Sequence, residues 1–534
     1  MEFDYIIVGA GSAGCAAANR LSENGKYSVA LLEAGGKDNN PWIHIPVGYF
    51  KTMGNPKTDW CYSTQSDDGL NGRSIPWPRG KVLGGCSSIN GLLYVRGQSQ
   101  DYDNWQKLGN IGWGWDDVLP LFKKAETWKG DTKSNLRGHT GPLSVSPTRL
   151  SREVVDKWVD AAVKSGYRRN YDYNAEDQEG VGYFQLTADK GRRCSTAVAY
   201  LNPAKKRKNL HIFTNTQVEK IIFKDGRASA VNTIQNSSPK IIKARKEIIL
   251  SAGAIGSPQI LMLSGVGDTK ELKKHGINVI KNLPGVGKNL QDHLQARPIF
   301  KTDLSTINIE TNNFFKQSMI ALQYALSRTG PMTMAASLGT AFLKTDDKLE
   351  TPDIQFHIQP FSANNAVEGT HKFSAFTASV LQMRPESTGH LELVSANYQD
   401  HPKIHPNYLD KDIDKKTIVK GIQIARKIAQ FEPLKSHIIE EYQPGSEVKF
   451  DDYEATLNWA RQTSVTIYHP TGTCKMGNDK MAVVDERLRV YGVQGLRVAD
   501  CSIMPVITSG NTNAPAIMIG EKVSQMTLED AVQC

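Results

Sequence analysis

The sequence predicts an α/β fold, α+β overall, with a Rossmann-like nucleotide-binding domain and a second domain built on an antiparallel sheet with helices. Two observations predict it. The first residues have the pattern strand, glycine-rich loop, helix and strand, which begins many parallel nucleotide-binding sheets. Between about residues 300 and 450, strand-like runs alternate with helix-like runs and turn signals. The length of 534 residues also exceeds what one hydrophobic core usually supports.

The N-terminal unit is the best-defined part of the sequence. Residues 4–8 form a short β-rich run, residues 13–22 an alanine-rich helical run, and residues 27–32 a second apolar strand. The loop after the first strand has the pattern GxGxxG, with the residues Gly9, Ala10, Gly11, Ser12, Ala13 and Gly14. Its glycines allow a tight turn and a close approach of a pyrophosphate to the helix N-terminus.

The second strand ends at Glu33 and Ala34, where nucleotide-binding domains often carry an acidic residue. A carboxylate there accepts hydrogen bonds from ribose hydroxyls and repels a ribose phosphate, so the pattern predicts a dinucleotide other than NADP. The loop alone does not separate NAD from FAD. Residues 79–91 are rich in glycine and hydroxyl groups, and such a segment is suited to run along a pyrophosphate and a flavin ring.

The remaining elements follow in order. Residues 37–80 predict long irregular structure of the kind that wraps a ligand. Further strands are expected at 211–214, 218–223, 247–251, 354–358 and 376–383, and further helices at 314–326 and 415–428. The predicted division gives the first domain residues 1–155, 191–310 and 455–534, and the second domain residues 156–190 and 311–454.

The run at residues 314–326 is unusually apolar. Core packing is the favoured interpretation. A pocket wall and a membrane-docking face are the alternatives that the sequence leaves open.

Composition excludes several classes of protein. Hydrophobic residues make up 39% and charged residues 22%, as in globular proteins, and no aromatic–basic interleaving accompanies the formal charge of +9, so a nucleic-acid partner is not expected. The seven cysteines lie singly, which predicts neither a disulfide framework nor a metal site and favours a reducing compartment. No signal peptide or membrane span is indicated. The expected location is the cytoplasm, with peripheral contact to the inner face of a membrane as an alternative.

Four segments resemble the glucose–methanol–choline (GMC) oxidoreductases. Residues 80–90 resemble the first signature of that family and residues 253–267 the second, and residues 468–474 and 510–515 are similar to its active-site segments. The four occur in the family's order and extend the resemblance over essentially the whole chain. It is greatest to bacterial FAD-dependent alcohol and choline dehydrogenases.

The resemblance implies a flavoprotein with FAD in the first domain and the substrate site in the second. Some members carry a histidine at the position of Ile89 that links covalently to the flavin, and since Ile89 has no nucleophilic atom, the FAD is expected to be non-covalent. The implied cofactor contacts beyond the glycine loop and Glu33 are Gly84, Asn90, Gly91, Val218 and Asp500. A helix over residues 514–523 is expected to point its N-terminus at the flavin. A helix cap is the alternative role for Asp500.

The family's chemistry needs a base for the hydroxyl proton of an alcohol while a hydride leaves for flavin N5. The pKa of histidine suits this role. His469 is the only one of twelve histidines in a Tyr-His-Pro-Thr-Gly-Thr context, and the resemblance implies that it is the general base. Asn513 is the favoured second catalytic group, as a hydrogen-bond donor to the alcohol oxygen. Asn511 is the alternative member of the Asn-Thr-Asn run.

The resemblance therefore predicts an FAD-dependent alcohol dehydrogenase that oxidises a primary alcohol of apolar or mixed character and passes electrons to a quinone or other non-oxygen acceptor. Choline dehydrogenation and an oxidase reaction with O₂ are the alternatives, and a lyase or a non-enzymatic flavin-binding protein is disfavoured. A choline site would need an aromatic cage, for which Trp60, Tyr62 and Trp77 are candidates. The sequence leaves the oligomeric state open.

Overall fold

Two large sheets form the framework of the protein. The computed structural model describes residues 1–131, 133–363 and 369–533. In sheet order, the first sheet contains the strands Leu210–Phe213, Val29–Leu32, Glu2–Val8, Ser238–Leu250, Arg227–Gln235 and Thr216–Lys224, and Leu496–Val498 also pairs with Ser238–Leu250. Four pairings around the N-terminal strands are parallel, and the last three strands form an antiparallel meander.

The N-terminal unit has the predicted arrangement. Strand Glu2–Val8 is followed by helix Ser12–Ser22 and strand Val29–Leu32, and the two strands pair in parallel. Apolar side chains of both strands are buried, since helices cover this part of the sheet. The C-terminal helix Asn513–Gln533 packs on helix Ser12–Ser22, so the two ends of the chain meet in one core.

The second sheet is antiparallel. Its strands in order are Ile438–Gln443, Ile299–Thr302, Ala375–Gln382, Ile354–Gln359, Gly339–Leu343 and Gly180–Tyr183, and Leu294–Ala296 pairs with both Ala375–Gln382 and Val465–Thr466. One face carries the apolar side chains of Phe356, Ile358 and Val380, which are buried in a second core. Helices Glu153–Lys164 and Asp412–Ile428 contribute many further residues to that core. The opposite face carries the polar side chains of Gln355 and His357 beside the apolar Phe342 and Leu381.

Shorter elements complete the chain. The other α-helices are Pro41–His44, Tyr49–Thr52, Cys86–Ile89, Ser99–Lys107, Trp115–Ala125, Asn202–Ala204, Gly253–Leu263, Thr269–Lys274, Ile307–Thr311, Phe314–Ser327 and Tyr453–Thr463. The short strands pair as Tyr62–Ser63 with Pro76–Trp77, Glu126–Trp128 with Leu143–Pro147, Leu143–Pro147 with Gln185–Leu186, Ala188–Asp189 with Arg192–Arg193, Val266–Gly267 with Lys281–Asn282, and His390–Glu392 with Lys403–His405. Most of these lie in connections rather than in the two large sheets.

These observations confirm the predicted fold class. The five-segment division of the chain stays a prediction, although strands Leu294–Ala296 and Ile299–Thr302 belong to the second sheet and lie before the boundary expected at residue 310. No helix among the described residues is long and apolar enough to cross a membrane.

The prediction that residues 314–326 pack in the core is wrong. Helix Phe314–Ser327 lies on the surface, and Tyr324 is its only buried residue. Five large apolar side chains of the helix are 50–84% exposed, namely Phe314, Phe315, Met319, Leu322 and Leu326. Apolar composition predicted burial here, but it does not show whether a helix packs against its own chain or against another surface.

Candidate active site and cofactor cradle

The glycine-rich loop forms the turn between the first strand and the first helix. Gly9 has φ of +101°, a conformation that favours glycine, and a Cβ at this position would collide with the backbone of Ser251. Helix Ser12–Ser22 begins directly after Gly11, and Ala13 and Gly14 are buried in its first turn. Free backbone N–H groups at this helix N-terminus are therefore available for a pyrophosphate.

The segment of residues 80–91 packs onto this loop. The backbone N–H of Gly84 donates to the carbonyl oxygen of Ala10 at 2.8 Å. A Cβ at Gly85 would lie 2.6 Å from the Cα of Gly11. The two segments can therefore pack this closely only because Gly85 has no side chain. The approach places a second set of glycine backbone groups beside the first.

The far end of this segment is held by a buried arginine. Asn90 Oδ1 accepts a hydrogen bond of 2.7 Å from Arg193, and the carbonyl oxygen of Asn90 accepts another of 2.7 Å. The carbonyl oxygen of Gly91 accepts from the N–H of Ala336 at 3.2 Å and links the segment to the chain before the second sheet. Asn90 and Gly91 thus lie between the two sheets.

Glu33 lies at the end of the second strand, next to the glycine loop. Its carboxylate accepts a hydrogen bond of 3.0 Å from the N–H of Ala10 in the glycine loop. It accepts a second bond of 2.8 Å from the N–H of Gly35, which follows Ala34. Burial raises the pKa of Glu33 to about 7. Each oxygen keeps an acceptor site that ribose hydroxyls can use. Val218 is buried in the strand Thr216–Lys224, whose first residue donates its N–H to the carbonyl oxygen of Glu33 at 2.8 Å.

Two further helix N-termini converge on the glycine loop. Asn513, the first residue of the C-terminal helix, accepts a hydrogen bond of 2.7 Å from Ser12 Oγ. Asp500 Oδ2 accepts from the N–H of Gly253 at 2.9 Å, at the start of helix Gly253–Leu263. Asp500 also accepts from Ser502 N–H and so caps a short 3₁₀ helix, the alternative role considered for it. The positive ends of three helices thus surround one cradle, which suits a dinucleotide with a pyrophosphate.

His469 lies buried between the two sheets. Its Nε2 is 3.1 Å from Nδ2 of Asn511, and its Nδ1 is 3.0 Å from Nδ1 of His293. Burial lowers the pKa of His469 well below 6.5, and the nearby His293, His357 and Arg79 lower it further. The ring is therefore neutral near pH 7.

The hydrogen bonds determine which ring nitrogen of His469 carries the proton. His293 Nε2 must donate to the carbonyl oxygen of Met383, 2.7 Å away, because a carbonyl only accepts. In a neutral His293 the Nδ1 then accepts, so the proton of His469 is on its own Nδ1. His469 Nε2 is left with a lone pair, to which the amide of Asn511 donates. Burial lowers the pKa of His293 to about 4, which keeps this chain of donors intact at neutral pH.

The backbone of His469 is held by a buried carboxylate. The N–H of His469 donates to Asp292 Oδ1 at 2.7 Å, while Asp292 Oδ2 accepts from Thr466 Oγ1 at 2.6 Å and from the hydroxyl of Tyr408. Burial raises the pKa of Asp292 to about 6. Arg79 donates to the carbonyl oxygen of Tyr468 at 2.7 Å. The turn that carries His469 is thus fixed on both sides.

The two asparagines occupy different places from those expected. Asn513 was predicted beside the base, but its side chain bonds Ser12 at the glycine loop. Asn511, the alternative, donates to His469. Only Asn513 belongs to the C-terminal helix, whereas Asn511 lies in the extended turn before it, so the two side chains diverge. The predicted pairing is therefore corrected to His469 and Asn511.

The candidate aromatic cage is occupied by the protein itself. Trp60 stacks on Tyr62 with ring centroids 5.9 Å apart, and the ammonium of Lys81 lies 4.4 Å from the Trp60 ring. Tyr62 and Trp77 are buried in the second core. Trp60 is therefore already paired with a lysine of the chain itself, and Tyr62 and Trp77 serve the packing of the core.

Sequence reasoning missed His293, Asp292 and Met383. A signal was present, because four of the five residues from Asn289 to His293 are polar and directly precede a strand of the second sheet. All five except Asn289 are buried. Polar residues that precede a buried strand are candidates for a site. Met383 contributes only its backbone, which no side-chain pattern reveals.

Comparisons with known proteins agree with this geometry. Models of the GMC oxidoreductase family match residues 3–295 and 385–520. An alcohol dehydrogenase (acceptor) of Pseudomonas putida is 41% identical over 98% of this chain and 95% of its own. An oxygen-dependent choline dehydrogenase of Brucella anthropi is 41% identical over 99% and 96%.

Solved structures have the same fold. The pyridoxine 4-oxidase of Mesorbium loti superimposes with a TM-score of 0.88 at 28% identity, over 98% of this chain and 99% of its own. A formate oxidase superimposes with a TM-score of 0.92 at 27% identity, over 100% and 99%. The cradle, the buried histidine and both family matches lead to one conclusion: the chain belongs to the GMC oxidoreductases.

Proposed function

We propose that the protein is an FAD-dependent alcohol dehydrogenase that oxidises a primary alcohol to an aldehyde with His469 as general base. The observation that carries the proposal is the tautomer of His469, whose Nε2 lone pair is presented next to an amide donor inside a buried site. Bound FAD supplies the acceptor for the hydride at N5. Its dinucleotide fits the cradle, where three helix N-termini and Glu33 converge.

The chain's own residues move the proton. His469 Nε2 accepts the hydroxyl proton of the alcohol. The imidazolium so formed still donates its Nδ1 proton in the hydrogen bond to His293. Asn511 Nδ2 bonds the alcohol oxygen as the negative charge develops there. Because the unfavourable charge on His469 is transient and buried, the ring releases the proton again readily after the reaction.

The FAD is held without a covalent bond to residue 89. Ile89 is buried in a small apolar cluster with Ile43 and Val82 and offers no nucleophile. Glu33, Val218, Asp500 and the glycine segments would hold the cofactor through hydrogen bonds and packing alone. Acid precipitation should therefore release it.

Choline is a disfavoured substrate. The carboxylate that contacts His469 is Asp292, and both of its oxygens are used by His469, Thr466 and Tyr408. Of the groups that lower the pKa of His469, His293 and His357 are neutral near pH 7 and Arg79 is a permanent cation. A quaternary ammonium would be repelled by Arg79, and the oxygens of Asp292 are already engaged.

Electrons are proposed to leave to a quinone at the cytoplasmic face of a membrane. The exposed helix Phe314–Ser327 supports peripheral contact, because Phe315, Met319, Leu322 and Leu326 recur every three or four residues and form one stripe opposite the buried Tyr324. The helix contains Lys316 and no acidic residue. A stripe of this kind with basic flanks suits an anionic bilayer.

A groove beside the stripe has matching chemistry. It measures about 520 Å³, and its lining includes Phe315, Lys316, Met319 and Arg149 together with Arg152, which is ion-paired with Glu310. Apolar and cationic groups together fit a phospholipid better than a second copy of the chain. In a two-fold dimer the same cations would face each other.

One experiment tests the reaction. Anaerobic mixing of the purified protein with primary alcohols should bleach the flavin, and reoxidation by a quinone analogue should be faster than by air. Flavin that stays oxidised with every alcohol would refute the proposal, and rapid release of hydrogen peroxide would make the protein an oxidase.

A further inference from the structure

One face of the second sheet, opposite the face that packs in the second core, carries polar side chains next to the candidate active site. Gln355 and His357 alternate on strand Ile354–Gln359 and point to the side opposite the buried Phe356. In the antiparallel register Ser379 is directly opposite His357, and Gln355 and Gln295 are both opposite Leu381. Residues that oppose each other share a face, so one surface carries all four polar side chains.

This face adjoins the catalytic pair. Gln355 Nε2 donates to Asn511 Oδ1 at 3.4 Å, and Asn511 in turn donates to His469. A proton on His357 would lower the pKa of His469, which means that the two rings lie close together. The strand that carries Gln295 follows His293 directly along the chain. The four side chains are therefore neighbours of the position where the alcohol hydroxyl must lie.

Each of the four has a buried polar atom without a partner among the described residues. These atoms are Gln295 Oε1, Gln355 Oε1, His357 Nε2 and Ser379 Oγ. The side chains are 0–8% exposed. Buried polar atoms are normally paired, because an unpaired one forfeits its hydrogen bonds to water. Four on one surface next to a reaction centre indicate a surface that pairs with a ligand.

We infer that this surface recognises a second, uncharged hydrogen-bonding group on the substrate, so that the preferred alcohol carries a further hydroxyl or a comparable polar group. The inference rests on the proposed function and names the substrate class of the same site. The two glutamine oxygens each accept a hydrogen bond, and the serine hydroxyl donates or accepts one. Nε2 of His357 donates or accepts a hydrogen bond, according to the tautomer of the ring.

The recognised group is neutral because the surface is neutral. None of the four side chains is a carboxylate or a permanent cation. Burial lowers the pKa of His357 to about 3, so it carries no charge at neutral pH. A buried surface without counter-charges disfavours ionic substrates. A simple alkanol, in contrast, would leave all four atoms unpaired.

The experiment compares matched alcohols that differ in one polar group. Flavin reduction is measured anaerobically with 1-butanol and 1,4-butanediol, and with benzyl alcohol and 1,4-benzenedimethanol, as rate constant divided by dissociation constant. We expect each diol to exceed its partner by roughly tenfold or more, as for one well-made hydrogen bond in a buried site. The variants His357→Phe and Ser379→Ala should reduce that ratio several-fold.

A control variant separates recognition from general damage. Ile358→Val changes the opposite, apolar face of the same strand and should leave the diol ratio unchanged. Equal use of diols and simple alcohols by the native protein, or an unchanged ratio in both variants, would overturn the inference while alcohol oxidation itself stands. If no alcohol reduces the flavin, the proposed function fails instead. Perturbation of the flavin spectrum by diols but not by simple alcohols would then still support the recognition surface.

Discussion

Nδ1 of His293 lies 3.0 Å from Nδ1 of His469, and this contact determines which ring nitrogen of His469 carries the proton. Because the neutral His293 donates its single ring proton, on Nε2, to the carbonyl oxygen of Met383, its Nδ1 can only accept from His469. A buried histidine alone would not have a defined proton position. The contact with His293 thus gives His469 one defined tautomer, with the lone pair on Nε2.

Replacement of the base should slow the chemical step. His469→Ala should lower the rate of flavin reduction by about two to four orders of magnitude, the usual contribution of general acid–base catalysis, while FAD stays bound. Stopped-flow absorbance measures the rate. Reduction near the native rate would remove His469 from the mechanism.

The two asparagines should respond differently. Asn511→Ala removes the amide that bonds His469 and should cost about two to three orders of magnitude in flavin reduction, as for one lost oxyanion donor. Asn513→Ala removes a contact to Ser12 at the cradle and should cost much less in rate but weaken FAD retention. The matched pair of variants is decisive, since a larger rate loss in the Asn513 variant would restore the original assignment.

FAD should come away in acid, and its affinity should depend on Glu33. The purified protein should be yellow, and trichloroacetic acid should leave the flavin in the supernatant. Glu33→Ala should weaken FAD binding by roughly tenfold or more, because it removes the carboxyl group that can bond the ribose hydroxyls. Retention is measured by ultrafiltration, with Glu23→Ala on the surface as the control. Flavin in the acid pellet would indicate a covalent link.

The pH profile should be flat near neutrality. The pKa of His469 is lowered well below 6.5, first by burial, so the neutral base persists as the pH falls to 6.5. The rate of flavin reduction should therefore stay constant from pH 8 to 6.5 and decline only below that range. A midpoint of the pH profile at pH 7 or higher would contradict this expectation, because it would mean that the site stabilises the imidazolium of His469 rather than the neutral ring.

The exposed stripe should bind anionic membranes. Leu322→Ser with Leu326→Ser should reduce cosedimentation with vesicles of phosphatidylglycerol and phosphatidylcholine by roughly tenfold or more, because each leucine would bury its side chain in the interface. Ile111→Ser, which alters an apolar side chain that is 70% exposed elsewhere, is the control. Activity with a soluble acceptor should not change.

Two outcomes would contradict the membrane contact. The native protein would fail to bind such vesicles at low salt, or the double variant would bind as well as the control. A change in molecular mass of the double variant, without a change in vesicle binding, would identify a second copy of the chain as the occupant of the stripe.

The sequence predicted most of the framework because its signals are local. Alternation, glycine spacing and the acidic residue after the second strand placed the unit from Glu2 to Glu33 correctly, since neighbours along the chain determine those elements. His469 was singled out by its immediate context. Its role stays a prediction, but the structure does place it in a buried site with hydrogen-bonded partners.

The misses have a common physical cause. The contact of His469 with His293 joins residues 176 positions apart, and the contact with Asn511 depends on where a turn ends and a helix begins. Neither is encoded in a local pattern. The stripe on helix Phe314–Ser327 was misjudged for a related reason, because periodicity shows that a helix has an apolar side but not what covers it.

The strand Ser238–Leu250 pairs with Glu2–Val8 on one edge and with Leu496–Val498 on the other. During synthesis its second neighbour emerges from the ribosome only after more than nine-tenths of the chain has been made. The cradle is later still, because Asn513 must reach Ser12. The complete cradle therefore forms only when nearly the whole chain has been made, and until then the edge of Ser238–Leu250 that Leu496–Val498 covers stays unpaired and open to association.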